Sequence, residues 1–158
     1  MSPATLRPYG TKDLDAIKLL TIEAFDGVTI EQDIEDVLGI LHGRDWRWRK
    51  ARHIDADAAA NPAGIFVAEA LGCVVGYVTT RIDREAGQGR IVNLAVGLDF
   101  REHGLGRRLI EHALEYFRRE SLEYAMIETM DQNETGQHLY PACGFVEVSR
   151  QVHYARKL

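Results

Sequence analysis

Apolar positions recur with two distinct periods along this chain. Residues 5–8 read as a short strand with Pro8 near its end. From Asp13, which can cap a helix, Leu14, Ile17, Leu20, Ile22 and Phe25 recur at helical spacing until Asp26-Gly27 breaks the pattern. Ile30, Ile34, Val37, Leu38 and Leu41 lay a second helical stripe over residues 30–41. Residues 42–62 are the least regular and close on the turn sequence Asn61-Pro62-Ala63-Gly64. Strand patterns follow: residues 65–70, a tight turn at Leu71-Gly72, residues 74–83, a polar loop, and residues 90–96. An amphipathic helix over 104–120, with Leu105, Leu109, Ala113 and Phe117 on its apolar side, leads to a strand over 124–130. A short helix over 134–142 and a final strand or hairpin over 145–156 complete the series.

This order, βααβββαβαβ, predicts an α/β (α+β) fold with a mixed sheet covered by helices. At 158 residues, without repeat, low-complexity tract or linker, residues 1–158 read as a single domain. The net charge of −5 argues against a non-specific nucleic-acid binder. The longest apolar run falls far short of a membrane span, and the opening MSPATLRPYG lacks the apolar region of a signal peptide. Cys73 and Cys143 are too few for a disulfide scaffold, and no Cys/His spacing suggests zinc. The expectation is a cytoplasmic protein with reduced thiols and no metal.

The segment from Ile91 to Leu109 carries the candidate chemistry. A buried strand feeds Arg101-x-x-Gly104-x-Gly106, then Arg107 and Arg108 at the start of a helix. The first amides of a helix have no intrahelical acceptor, and the helix dipole favours an anion there. Glycines let backbone approach a phosphate closely. A P-loop would need Gly-Lys followed by Ser or Thr, and a dinucleotide-binding turn would need a third glycine where Leu109 stands. On these residues alone, an anion site and a plain strand-to-helix turn with surface arginines both stand.

The same segment resembles the acetyl-CoA-binding motif of the GCN5-related N-acetyltransferases (GNAT), Gln/Arg-x-x-Gly-x-Gly/Ala. Downstream, Asn133, Leu139-Tyr140 and Gly144-Phe145 resemble the second motif of that family. The likeness is strong over 91–145 and weak over 21–62, with some similarity to the branch that acetylates ribosomal proteins and N-terminal α-amines. The resemblance implies a GNAT fold: a central sheet of about 6–7 strands, about 4 flanking helices, and a splayed V between the fourth and fifth strands. It implies a bulge in the 90–96 strand and a pantetheine arm lying along Leu94, Ala95 and Val96 through main-chain atoms. Pyrophosphate would sit over Arg101, Glu102, His103, Gly104, Leu105, Gly106 and Arg107. Asn133 is either an N-cap or a contact to the pantetheine arm. Tyr140 would give a proton to the departing thiolate, since a phenol titrates near 10.

The attacking amine must be neutral, so a base or a water wire is needed. Glu128, expected within a strand, is the first candidate, because burial there would raise its pKa toward a useful range. Glu69 is the second, and Asn93 could order a water or fill a polar niche beside the bulge. Direct attack in a ternary complex suits these residues better than an acyl-enzyme, because Cys143 has no evident base. Substrate recognition is expected from the first two helices and the irregular stretch after them, where Asp26, Glu31, Asp33, Glu35 and Asp36 make the region acidic and would draw a cationic acceptor. Trp46 and Trp48 alternate with arginines and could line an acceptor pocket, shield an apolar edge or meet a partner. The expected function is acetyl transfer from acetyl-CoA to a primary amine, on a small molecule or a protein. The family likeness leaves a homodimer open, with no nucleic-acid or membrane partner. The alternative is a non-catalytic acyl-CoA sensor or interaction module on the same fold.

Overall fold

The computed structural model describes residues 3–158. A single five-stranded sheet runs in the order β1-β2-β3-β4-β5. Its strands are β1 (Thr5–Pro8), β2 (Phe66–Ala70), β3 (Cys73–Asp83), β4 (Gln88–Val96) and β5 (Tyr124–Ile127). The first four pair antiparallel, and β5 runs parallel to β4. Leu71 and Gly72 both hold positive φ, at 53° and 75°, in the two-residue turn joining β2 to β3. Such turns match the right-handed twist of the strands they connect.

Five helices cover the sheet: α1 (Leu14–Ala24), α2 (Ile30–Leu38), α3 (Trp46–Ala60), α4 (Leu105–Arg119) and α5 (Glu134–Ala142). α4 buries Leu105, Leu109, Ile110, Ala113, Tyr116 and Phe117 against Phe66, Ala68, Val78 and Ile91. On the other face, Ile17, Leu20 and Ile54 from α1 and α3 pack on Val67, Tyr77 and Ala95. Gly89 is required by this layering, since a Cβ there would lie 2.5 Å from the Phe117 ring.

The expected bulge is present. Thr79 registers with Asn93 but Thr80 with Ile91, so Val92 is an extra residue on β4. Ile91 and Leu94 join the α4 core, whereas Asn93 bonds to α3. β4 and β5 are in register only from Gln88↔Tyr124 to Ile91↔Ile127. Beyond Val92 the two strands part, which is the predicted V.

Several elements depart from expectation. The irregular stretch 42–62 contains α3, whose buried positions Trp46, Lys50, Ala51, Ile54 and Asp57 do follow helical spacing. Two of them are charged, which hid the stripe from a hydrophobic reading. The second helix stops at Leu38 because Gly39 turns the chain with φ 78°. The fifth strand ends at Ile127, not residue 130. The final strand over 145–156 does not form, so the sheet has five strands rather than six or seven. Val146, Val148, Val152 and Tyr154 are all exposed. Their alternation is interrupted by Arg150, which falls in phase with the valines and pairs instead with Asp131 at 2.9 Å and with Glu147. Alternation makes a strand only where a partner edge takes it up.

Candidate functional site

The strand-to-helix turn is built to present amides. Gly104 is the N-cap of α4 and sits left-handed at φ 75° with open space around it. Glu102 is also left-handed, at φ 63°. Phe100 and Arg101 donate their amides back to Gly97 and Leu98, and Arg108 donates to Gly104. Among the described residues, the amides of Glu102, His103, Gly104, Leu105, Gly106 and Arg107 have no acceptor. Six consecutive free donors at a helix N-terminus form an anion cradle. A Cβ on Gly106 would meet Leu139 Cδ2 at 3.3 Å, so that glycine also lets α5 approach.

The arginines divide. Arg101 turns its guanidinium back, donating to Val96 O at 3.1 Å and Ala24 O at 3.5 Å. It braces the turn, and its amide, already given to Leu98 O, stays outside the set of free donors. Arg108 donates to Ala4 O at 2.9 Å and ties down the start of the chain. Arg107 is exposed beside the cradle. The His103 ring contacts Arg101 O at 2.6 Å.

The cradle lies at one end of the V and the fork at the other. Side chains of Leu94 and Val96 pack with α4, and Ala95 is buried on the opposite face. Their main chain on the β5 side is left unpaired by that strand. At the fork, Glu128 directly follows the last registered pair, Ile91↔Ile127. Its environment corrects the expectation of a buried strand carboxylate. The side chain is 68% exposed and pairs with Arg90 at 2.9 Å.

Thr129, the next residue, connects this end to α5 by accepting from Asn133 at 2.8 Å and lies close to Tyr140. Tyr140 is half-buried against the α4 core and meets Phe145 edge-on, centroids 6.4 Å apart. Burial pushes its phenol above the ordinary value, against the smaller opposing effect of Thr129. It therefore keeps its proton near neutrality. Asn133 caps α5, its side chain accepting from the Gly136 amide at 3.3 Å and donating to Thr129 at 2.8 Å. Asn133→Ala should lower unfolding stability by about 1 kcal/mol in denaturant titration. An unchanged midpoint would deny the cap.

Glu69 lies away from the fork. It pairs with Arg7 at 2.7 Å on β2, two strands from the V, and Arg7 also bridges Asp13. Asn93 fills a polar niche. It accepts from Lys50 Nζ at 2.9 Å and donates to Asp57 at 2.7 Å, all three buried. Asp57 also accepts from Thr79 at 2.7 Å and Arg81 at 2.9 Å. Lys50 lies over the Phe25 ring at 4.2 Å, and burial lowers its pKa. Sequence reading missed Lys50 and Asp57 because they sit in the helix it did not see.

The acidic stretch does not present a row of free carboxylates. Asp26 and Asp33 accept from Gln32 and Gln132, and Glu35 accepts from the Trp46 amide. Glu31 is buried and held by Thr29 and by His53 at 2.9 Å. Burial alone would raise its pKa, but the bonds from His53 and Thr29 outweigh that and leave it at about 2. A carboxyl held below its ordinary 4.5 contributes stability above that pH and loses it as pH falls toward 2. The wild-type melting temperature should fall across that window more steeply than that of Glu31→Gln. Parallel curves would show that the contact contributes nothing. Trp46 is buried, while Trp48 lies between Arg44 and Arg52, whose guanidiniums stack on it.

Among the described residues, no helix is long and apolar enough to cross a membrane, and no cluster of side chains could hold a metal.

Comparison with known proteins adds family evidence. The model of the acetyltransferase (GNAT) family matches residues 29–145. A mycothiol acetyltransferase of Propionibacterium freudenreichii subsp. shermanii is 33% identical over 136 residues, 79% of this chain and 44% of that protein. N-alpha-acetyltransferase 30 of Saccharomyces cerevisiae is 28% identical over 108 residues, 68% of this chain and 58% of that protein. The chain thus spans only about half the length of these relatives. Among solved structures, the ribosomal-protein-S18-alanine N-acetyltransferase of Escherichia coli matches with a TM-score of 0.67 at 20% identity, covering 92% of this chain and 79% of that one. The PaiA N-acetyltransferase of Thermoplasma acidophilum, solved with coenzyme A, matches at 0.70 and 16% identity, covering 90% and 88%. At such identities these structures speak for the fold.

Proposed function

The chain belongs to the acetyltransferase (GNAT) family, and within it we propose that the protein moves an acetyl group from acetyl-CoA to a primary amine by direct attack in a ternary complex. The observation that carries this reading is one strand joining two features. β4 has an open edge beyond Ile91, a cradle of free amides at one end and a fork with Glu128 at the other.

The free amides from Glu102 to Arg107, with Arg101 bracing the turn behind them, suit a pyrophosphate, and the edge of Leu94, Ala95 and Val96 suits the two amides of pantetheine. Acetyl-CoA supplies the thioester. Glu128 takes a proton from the attacking ammonium, directly or through water, once it leaves Arg90. Exposure allows that exchange where a buried pair would not. Tyr140 donates its phenolic proton to the departing sulfur, and its raised pKa keeps that proton available. Asn133 holds α5 and Thr129 in place, and its cap leaves a role toward the pantetheine arm within the proposal. A cytoplasmic setting also belongs to the proposal, and the free thiols Cys73 and Cys143 suit it.

Calorimetric titration with acetyl-CoA, followed by thiol release across a panel of amines, tests the reading. Saturable binding and turnover on one class of amine are expected. Absence of binding would reduce the segment 101–107 to a turn.

A further inference from the structure

An open cleft of about 590 Å³ lies between α2, α3 and β4. Val92, the extra residue of the bulge, lines it, and directly follows the last registered pair Ile91↔Ile127, as Glu128 does on the other strand. The cleft therefore opens at the fork, at the end of the V remote from the anion cradle. Gln132 binds Asp33 at 2.8 Å and ties the segment after β5 to α2 beside it.

The charges in this cleft are not what α2 suggests in sequence. Its two carboxylates are already satisfied: Glu31 by Thr29 and His53, Asp57 by Thr79, Asn93 and Arg81. Three arginines line the same cleft. Arg81 spends one nitrogen on Asp57, and its Nε is buried without a partner among the described residues. Arg49 donates to Leu41 O from one nitrogen and keeps its remaining donors. Arg52 stacks on Trp48 at 4.7 Å, which fixes its plane while leaving its edge free. A guanidinium carries five N–H donors, so all three retain capacity for an anion. An orphaned buried donor beside two others is a site short of an acceptor.

We propose that the acceptor is a small amine carrying a carboxylate, its amine at the fork by Glu128 and its carboxylate held by Arg49, Arg52 and Arg81. This rests on the N-acetyltransferase reading and narrows it to amino-acid-like acceptors over polyamines. Charge-assisted, forked hydrogen bonds to a carboxylate distinguish it from the isosteric amide.

The test compares free α-amino acids, the corresponding α-amino acid amides and spermidine, with saturating acetyl-CoA and thiol release as readout. The best acid should exceed its amide in kcat/KM by about tenfold or more. Arg52→Gln, at an exposed position of α3, should cut that acid-to-amide ratio about tenfold. Arg118→Gln, distant on α4, should leave the ratio as it is. Equal use of acid and amide, a preference for spermidine, or no acid turned over by protein that binds acetyl-CoA would each overturn the inference. Loss of acetyl-CoA binding in the wild type would overturn the parent reading itself.

Discussion

Tyr140→Phe should lower kcat by about a hundredfold to ten-thousandfold while acetyl-CoA affinity stays at its wild-type level. The substitution removes one hydroxyl and keeps the ring. The edge-on contact with Phe145 and the packing on α4 survive. Stability should stay within about 1 kcal/mol of wild type, since only one hydroxyl is lost. The whole effect then falls on a step in which the leaving sulfur accepts a proton. A departing thiolate without a donor must wait for water in a half-buried place, and a phenol kept protonated by burial removes that wait. Single-turnover rates measured beside calorimetric affinity separate the two quantities. A kcat within a few-fold of wild type in the phenylalanine variant would take the acid role from Tyr140.

Gly104→Glu should weaken acetyl-CoA binding by about a hundredfold or more, which corresponds to about 3 kcal/mol. Two costs are distinct. A side chain at φ 75° strains the backbone by about 1–2 kcal/mol, read as lost stability. Nothing lies within 4 Å of the new Cβ, so no clash adds to it. The carboxylate, however, stands at the mouth of the free amides. It competes for those donors and repels a pyrophosphate approaching them. Gly104→Asn isolates the charge, because asparagine tolerates the left-handed region and is neutral. Its affinity should stay within a few-fold of wild type. A folded Gly104→Glu protein with unchanged affinity would remove the cradle from the mechanism.

Much of this was legible in the sequence where local chemistry dictates the backbone. Gly104 and Gly106 announced the turn, Leu71-Gly72 announced the hairpin, and Asn133 announced the cap of α5. The bulge and the V came from family likeness, and the register bears them out. What failed was long-range. α3 buries Lys50 and Asp57, and charged residues look solvated until Asn93, Thr79 and Arg81 arrive from strands distant in the chain. Apolar neighbours make Glu128 look buried, yet β5 ends one residue earlier and leaves it in solvent beside Arg90. The acidic stretch from Asp26 to Asp36 looks in sequence like bait for a cation. Asp26, Glu31, Asp33 and Glu35 are occupied by partners that spacing cannot reveal, and Asp36 alone of the five stands exposed without one among the described residues.

The sheet order has a consequence for how the molecule assembles in time. Neighbours from β2 to β4 are joined by short connections, so their pairing closes small loops. β1 alone must cross α1, α2 and α3 before Thr5 meets Glu69. Loop closure grows costlier with length, and distant pairings form late. The β2–β4 meander with α4, which holds the amide cradle, should therefore condense first. β1 and the helices that wall the cleft beside the fork should follow. Pulsed hydrogen exchange during refolding would then protect amides of β3 and β4 before those of β1, and the two halves of one active site would be born at different moments.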